Sequence, residues 1–581
     1  MAIAVVSVPT PAIGQAIVLN PNEVLPELIA DTSGTTAFYI NGIHTYGLTK
    51  NANEKRLYSS DAITKLILSL VTLRLSDAGV ISLEAQVSEF VPHIVSANPF
   101  EAPITIRHLL QETAGFASPP LSLTQRALDT AVGGAQLERF AIKLRSAGQA
   151  STHDPVGWAV LIAVLEQVTG KPVSQLMTNQ LTDPLGLDVK NVLVSYNRLA
   201  GESMPLGITT SLSSFAEIVR PLIRNIDKAG AYYLKQKTHK ALVEGVDGFK
   251  LHPGGKTASL GVSVRSSNYQ HWSEGLNTVC TEKLTFTAFP KQGVAFIGAV
   301  SGGPPNMNSC TPSLVRLASL KQAAKYFPPT KHNATGATLA QPSRLEGRYI
   351  PARRSPAALS ERLQIMRSNW YTIYGDTGDQ LLMKHRDNEP NIFKETAPYL
   401  YENNERRVSI STAMFSPYKL GGYLQLEGKY QGDMLYRRVD SLGRAGLLAT
   451  MIPWALLVIA SAVIYAVRQP DKPWRNMGLF ALAGVMLVGG GLYLEINNWA
   501  SVLYEKQQPV LITLWRTGLN IGLMLLLSLP LFVFSFSRSK TIPTDGLKIL
   551  VAPHLALVAA AALMVFLTLV MWGVAGTFTP Y

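Results

Sequence analysis

The rhythm of hydrophobic and polar positions changes three times along the chain. From about residue 20 to Phe327, helical and strand-like patterns alternate. In "AITKLILSLVTLRLSDAGV" apolar residues recur at helical spacing up to Gly79, and in "GWAVLIAVLEQVTG" they do so up to Gly170; each predicts a helix ended by glycine. "KLTFTAF" and "GVAFIGAV", joined by "PKQG", predict a β-hairpin. Helices mixed with antiparallel strands indicate an α/β or α+β domain over residues 21–327. The stretch "FPPTKHNATGATLAQPS" lacks periodicity and is rich in Pro, Thr, Ala and Gly, so residues 328–344 read as a linker. Residues 345–440 break into short segments such as "WYTIYG", "QLLMKH", "RVSIST" and "GYLQLEG", which predict a small β-rich domain.

The last change of rhythm is to continuous apolar runs. Gly446 to Val467, Met477 to Ile496, Val510 to Phe536 and Ile549 to Thr577 are each near or above the roughly 20 residues that cross a bilayer, which predicts four transmembrane helices over 446–577. Arg468, Lys472 and Arg475 lie in one connecting loop, and Arg538, Lys540 and Lys548 in another; the loop between these two has only Lys506, offset by Glu505. Retention of basic loops inside places the large N-terminal part outside the cytoplasm, as a multi-pass inner-membrane protein with a periplasmic domain. Residues 1–20 lack a basic n-region, and they read as a remnant of an export signal; insertion directed by the first transmembrane helix is the alternative. Glu495 and Arg516 fall near the outer ends of consecutive runs and His554 near the inner side, close enough to the interfaces to snorkel.

Composition refines this picture. A hydrophobic content of 47% fits a chain that is partly membrane-embedded, and the net charge of +13 is scattered and concentrated in part in the cytoplasmic loops. That distribution favours an anionic membrane surface over nucleic acid as partner. Cys280 and Cys310 are the two cysteines, which excludes a disulfide scaffold and a Cys-rich metal site. They are compatible with two buried thiols or with one disulfide worth roughly 3 to 4 kcal/mol by loop closure.

The candidate chemistry begins at "AITK". A Ser and a Lys three residues apart on a helix share a face, and the lysine can withdraw the hydroxyl proton to give a nucleophile. Here the spacing is kept, with Lys65 in place, but the position of the nucleophile is Ala62. "ISLEAQV" and "ITIRHLLQETAGF" follow, the latter from Ile104 to Phe116. In this order the chain resembles the serine β-lactamase and penicillin-binding-protein superfamily, in particular serine hydrolases related to class C β-lactamases, which run S-x-x-K, "LSLDDPV" and "ITIRHLLTHTSGL".

The resemblance implies a β-lactamase/transpeptidase-like fold and three catalytic motifs, all altered in this chain. Where the family has Y-x-N within "PGxxFxYSNxGY", this chain has "AGQASTHDPVGW", with His153 on the tyrosine and Pro155 on the asparagine. The third motif, K-T-G or H-x-G, matches "HWSEG" as His271, Trp272 and Ser273, with "KTA" at Lys256 to Ala258 as competitor. "LEGRYIPARRSPAALSERL" further resembles the opening of the β-domain that some membrane-anchored members carry before their transmembrane helices.

These losses imply a pseudoenzyme that binds a peptide, cell-wall or acyl ligand, or that regulates a protein partner. Lys65, His153, His271 and Trp272 are the ligand-binding candidates. Lys65 could equally be a buried cation satisfied by a carbonyl. The rival readings are an active hydrolase or peptidase with a rearranged site, using Ser60 or Ser273 with Lys65 or His271, and an accessory subunit of a membrane transport system. Ser59 and Ser60 read as loop or capping residues and Asp61 as a helix N-cap. A His153–His271 pair lacks a third ligand, so neither a metal nor another cofactor is expected.

Overall fold

The computed structural model describes residues 35–41, 44–49, 57–59, 61–95, 98, 100, 102–116, 137, 141, 143, 146–148, 154–196, 206–244, 256–258, 260–267, 270–274, 284–300, 345–351, 371–375, 380–385, 390–397, 400–403, 410–415, 423–428, 434–439, 442–464, 472–504, 509–538 and 548–571. Residues 1–20, the linker 328–344, Ser60, His153, Cys280 and Cys310 lie outside them. The described residues fall into two compact units, one through Arg438 and one holding the C-terminal helices.

The first unit is built around an antiparallel seven-stranded sheet. Its strands are β1 (Thr35–Asn41), β2 (His44–Thr49), β6 (Lys256–Ala258), β7 (Ser263–Ser267), β8 (Gln270–Glu274), β9 (Leu284–Phe289) and β10 (Val294–Val300), in the order β2-β1-β10-β9-β8-β7-β6. β9 and β10 form the hairpin expected from "PKQG", with Val294 opposite Phe289. β1 then pairs with β10 over its full length, Thr35 opposite Val300. A second sheet of order β3-β5-β4 is formed by β3 (Leu57–Ser59), β4 (Val192–Tyr196) and β5 (Leu206–Ser211).

Five helices of this unit matter for the site. They are α1 (Asp61–Asp77), α2 (Ile106–Leu110), α3 (Pro155–Thr169), α4 (Leu212–Ile223) and α5 (Gln236–Glu244). α1 and α3 are the two helices expected from the apolar spacing. α3 ends on Gly170 at φ 64°, a left-handed cap that suits glycine. Ile63, Leu66, Ile67, Leu68, Leu70, Val71 and Leu73 are all fully buried, so α1 is enclosed by protein around its circumference. α4 packs on the large sheet through Phe215, edge-on to Phe286 at 6.0 Å.

The small β-rich domain closes on itself. β11 (Gly347–Pro351), β12 (Tyr371–Gly375), β13 (Gln380–His385), β14 (Asn391–Ala397), β15 (Leu400–Glu402), β16 (Ile410–Phe415), β17 (Tyr423–Gly428) and β18 (Met434–Val439) make a closed barrel in sequence order. Its interior is filled by Tyr349, Ile373, Leu381, Met383, Phe393, Tyr401 and Leu424, as expected for eight strands.

The second unit contains α6 (Leu442–Ser461), α7 (Lys472–Tyr504), α8 (Pro509–Arg538) and α9 (Lys548–Met571), which coincide with the four apolar runs. Among the described residues one stretch, Arg475–Leu494, is long and apolar enough to cross a membrane; Met451–Ser461, Arg516–Leu531 and Pro553–Leu569 are apolar but shorter. α7 and α8 approach closely where each carries glycine. A Cβ at Gly522 would lie 2.7 Å from Leu487 Cβ and 3.1 Å from the Gly484 carbonyl oxygen. The Ser461 hydroxyl donates to the Val458 carbonyl and shares a hydrogen bond with His554 Nε2 at 2.8 Å, joining α6 to α9. Arg516 is buried, and the side chain of Glu495 lies outside the described residues.

Two outcomes are expected. Gly522→Val forces backbone apart at the α7–α8 crossing, so it should destabilise the second unit by about 1 to 3 kcal/mol, read as an earlier thermal transition of the full chain. In the first unit, burial lowers the His239 pKa from its ordinary 6.5, against the raising effect of its hydrogen bonds to the Pro221 and Leu222 carbonyls and of Glu244. The unfolded chain therefore takes up this proton first as pH falls. Stability present above pH 6.5 should decline on acidification below it, and His239→Gln should flatten that decline in thermal melts between pH 7 and 5.

Candidate functional site

The site is centred on the first turns of α1. β3 delivers the chain into this helix, with Tyr58 paired opposite Thr210 of β5. Thr64 of α1 donates from its hydroxyl to the Leu206 carbonyl at 3.1 Å, tying the helix start to the same strand. Ala62 lies within the first turn and Lys65 one turn later, as the S-x-x-K spacing requires.

Lys65 is completely enclosed, and its Nζ sits 2.7 Å from Oε1 of Glu112, itself only 3% exposed. A buried ammonium needs a partner of opposite charge, and here a carboxylate provides it.

Glu112 reaches that position through an unusual backbone. Thr105 caps α2, accepting from the His108 amide, and the helix lasts five residues. The chain then turns, and Glu112 adopts φ 56°, the left-handed region that non-glycine residues seldom occupy. Its amide donates to the Leu109 carbonyl at 3.1 Å, and the next amide, of Thr113, donates to the His108 carbonyl at 2.9 Å. Such a conformation costs on the order of 1 to 3 kcal/mol and persists where surrounding contacts dictate it.

Those contacts come from the start of α3. The indole Nε1 of Trp158, which is fully buried, donates to the same Glu112 Oε1 at 2.9 Å, and the Asp154 amide points to it at 3.4 Å. Asp154 is the α3 N-cap, accepting from the Gly157 amide at 2.8 Å, and Pro155 occupies the first helical position, where a missing amide hydrogen does no harm. Pro155 is thus placed as a helix starter. A Cβ at Gly157 would meet the Asp154 carboxylate at 2.7 Å, so this cap requires glycine there.

A second buried cation among the described residues, Lys143, meets the chain just after Glu112. Its ammonium donates to the Ala114 carbonyl and lies 5.5 Å from the Phe116 ring centroid. Burial, then the charge of Lys143, lowers the pKa of His108, whose ring caps α2 with Thr105.

The third-motif residues lie on β8, where His271 is opposite Ser266, Trp272 opposite Arg265 and Ser273 opposite Val264. The competing Lys256–Ala258 segment forms the sheet-edge strand β6. The side chains of Ala62, His271, Trp272 and Ser273 lie outside the described residues, as does His153 altogether. Among the described residues no three His, Cys, Asp or Glu side chains cluster to hold a metal ion. The structure therefore joins Lys65 to three residues that sequence reasoning had not singled out: Glu112, Asp154 and Trp158. One signal for them was present. In "ITIRHLLQETAGF" Glu112 stands where the related "ITIRHLLTHTSGL" has histidine, and in "HDPVGW" Trp158 stands on the second tyrosine of "YSNxGY".

Removing one member of this buried pair takes from the other its ionic contact at 2.7 Å. Glu112→Ala should cost about 3 to 5 kcal/mol, whereas Lys65→Met combined with Glu112→Leu should cost less than the sum of the single changes, both measured as shifts in thermal unfolding.

The Beta-lactamase family model matches residues 48–189. Penicillin-binding protein 4 of Amycolatopsis lactamdurans is 29% identical over 138 residues, 22% of this chain, and the match spans about a third of that relative's length (35%). Among solved structures, SurE with D-Leu aligns at TM-score 0.46 with 15% identity, covering 72% of this chain and 98% of that one. The octameric penicillin-binding protein homologue from Pyrococcus abyssi aligns at 0.39 with 15% identity, covering 72% and 99%. Over residues 48–189 the chain resembles the serine β-lactamase and penicillin-binding-protein superfamily.

Proposed function

We propose that this chain is a membrane-anchored, extracytoplasmic relative of the β-lactamases that has lost acyl-serine chemistry and keeps its domain for binding. Its ligand is a peptide, cell-wall fragment or acyl compound, or its partner is an active homologue that it regulates. The observation that carries the reading is the pairing of Lys65 with Glu112 in a helix whose nucleophile position is Ala62. A lysine bound as an ammonium to a carboxylate has no lone pair with which to take a proton, and alanine has no hydroxyl to give one.

Anchoring is supported by the second unit. Trp454 on α6, Met486 on α7, Met524 on α8 and Leu557 on α9 all point outward, with Met486 and Met524 68% and 70% exposed. Helices that are apolar on their outer faces as well as their inner ones suit a lipid surround. The basic loops Arg468–Arg475 and Arg538–Lys548 support an orientation with the first unit outside the cytoplasm.

One experiment addresses both parts. Membranes containing the full chain are washed at alkaline pH, exposed to a fluorophosphonate and to a fluorescent penicillin, and read by intact mass. The expected result is a chain that stays with the membrane and gains no mass. Release by the wash would overturn the anchoring, and a stoichiometric adduct would overturn the loss of chemistry and, once mapped, identify a replacement nucleophile such as Ser60 or Ser273.

A further inference from the structure

The barrel β11–β18 carries an apolar row on its outside, away from its packed interior. We infer that this outer face of β12–β14 rests on the anionic headgroup layer of the bilayer that holds α6–α9, so that the barrel is a membrane-surface module as well as a link in the chain. The inference goes beyond the anchoring reading and rests on it.

Strand alternation separates the two faces of the barrel. Ile373, Leu381, Met383 and Phe393 are buried inside, so their neighbours along each strand point outward. Tyr374 pairs opposite Leu382, and Leu382 opposite Ile392, which makes one continuous apolar row across three strands. Tyr374 is 47% and Ile392 49% exposed, and Leu382 between them is half-buried. A tyrosine and two aliphatic residues in register differ from the singly scattered apolar residues that any soluble surface carries.

Charge and position select the partner. On one side of the row Arg348 pairs opposite Thr372, and Thr372 opposite Lys384, which sets two cations beside it. On the other side Gln380 pairs opposite Lys394, adding a third. Arg348 and Lys394 are exposed and Lys384 is half-buried. Apolar side chains between basic ones suit a bilayer surface, where ring and methyl groups enter the acyl boundary while the cations meet lipid phosphates. The row also starts at the end of the barrel that leads to the helices. β12, β14, β16 and β18 run in one direction, so Val439 ends β18 at the same rim as Gly375 of β12 and Ala397 of β14. Residues 440–441 alone join that rim to α6 at Leu442, a reach of at most about 10 Å. Tyr374 lies one residue from the end of β12, and Leu382 two residues from the start of β13.

The test uses the full chain in nanodiscs of phosphatidylcholine, with and without phosphatidylglycerol. Tyr374→p-benzoylphenylalanine keeps an aromatic ring in the row and makes it photoreactive; Val80→p-benzoylphenylalanine serves as reference, because Val80 is 46% exposed elsewhere in the first unit. Adducts formed on irradiation are read by intact mass. The expected result is an adduct of phospholipid mass at position 374, about tenfold more abundant with phosphatidylglycerol than without, and little at position 80. Arg348→Gln/Lys384→Gln should lower that adduct about tenfold, and Leu382→Ser/Ile392→Ser should lower it in both lipid mixtures, with thermal unfolding unchanged because all four side chains face outward. Equal adducts at the two positions, or an adduct at 374 indifferent to lipid charge and to both double substitutions, would mean that a tethered barrel merely collides with the bilayer, and would overturn the inference. So would the lack of any adduct on a chain that stays in the discs, or an adduct with the mass of a second copy of this chain, which would assign the row to a protein interface. A chain that does not remain with the discs instead sinks the anchoring reading, and this inference with it.

Discussion

A lysine enclosed on every side can remain charged only if its environment supplies the opposite charge, and in this protein that demand organises the first unit around Lys65 and Glu112. The consequences spread through three separate parts of the chain. α1 contributes the ammonium, the turn after α2 contributes the carboxylate in a left-handed backbone, and the start of α3 contributes the indole and amide that hold it. Asp154, Pro155 and Gly157 then follow from the need to begin α3 at that point. The pair is buried, so it is better understood as fixing a particular arrangement than as adding net stability.

How much of this could be read from the sequence depends on the distance over which each feature is decided. α1 and α3 are local matters of apolar spacing and a terminating glycine, and both run where expected. The β9–β10 hairpin is also local, set by "PKQG". The placement of β1 beside β10 is not, because nothing near Thr35 indicates that it will meet Val300. Closure of the barrel belongs to the same class: "WYTIYG" or "QLLMKH" predicts a strand, but not that the first strand of the set will meet the last.

The site divides in the same way. Ala62 and Lys65 were legible because a motif fixes their spacing. Glu112 was not, because its role depends on Lys65, Asp154 and Trp158, all far away in sequence, and a glutamate after a short helix looks like an ordinary surface residue. Its resemblance position, where relatives have histidine, was the one available hint. The helical unit shows the reverse case: its four helices were legible as apolar runs, yet the Gly484–Gly522 crossing and the Ser461–His554 link became apparent only with the helices side by side.

The coupling among residues 65, 112, 154 and 158 also bears on the history open to this chain. Exchanging Glu112 alone takes a carboxylate from an enclosed cation, and exchanging Trp158 alone takes a donor from that carboxylate. Each single exchange therefore passes through a less stable chain, while exchanges made together need not. The arrangement makes these four positions a single unit of variation: a change at one is tolerated best when its partners in the other two segments change with it.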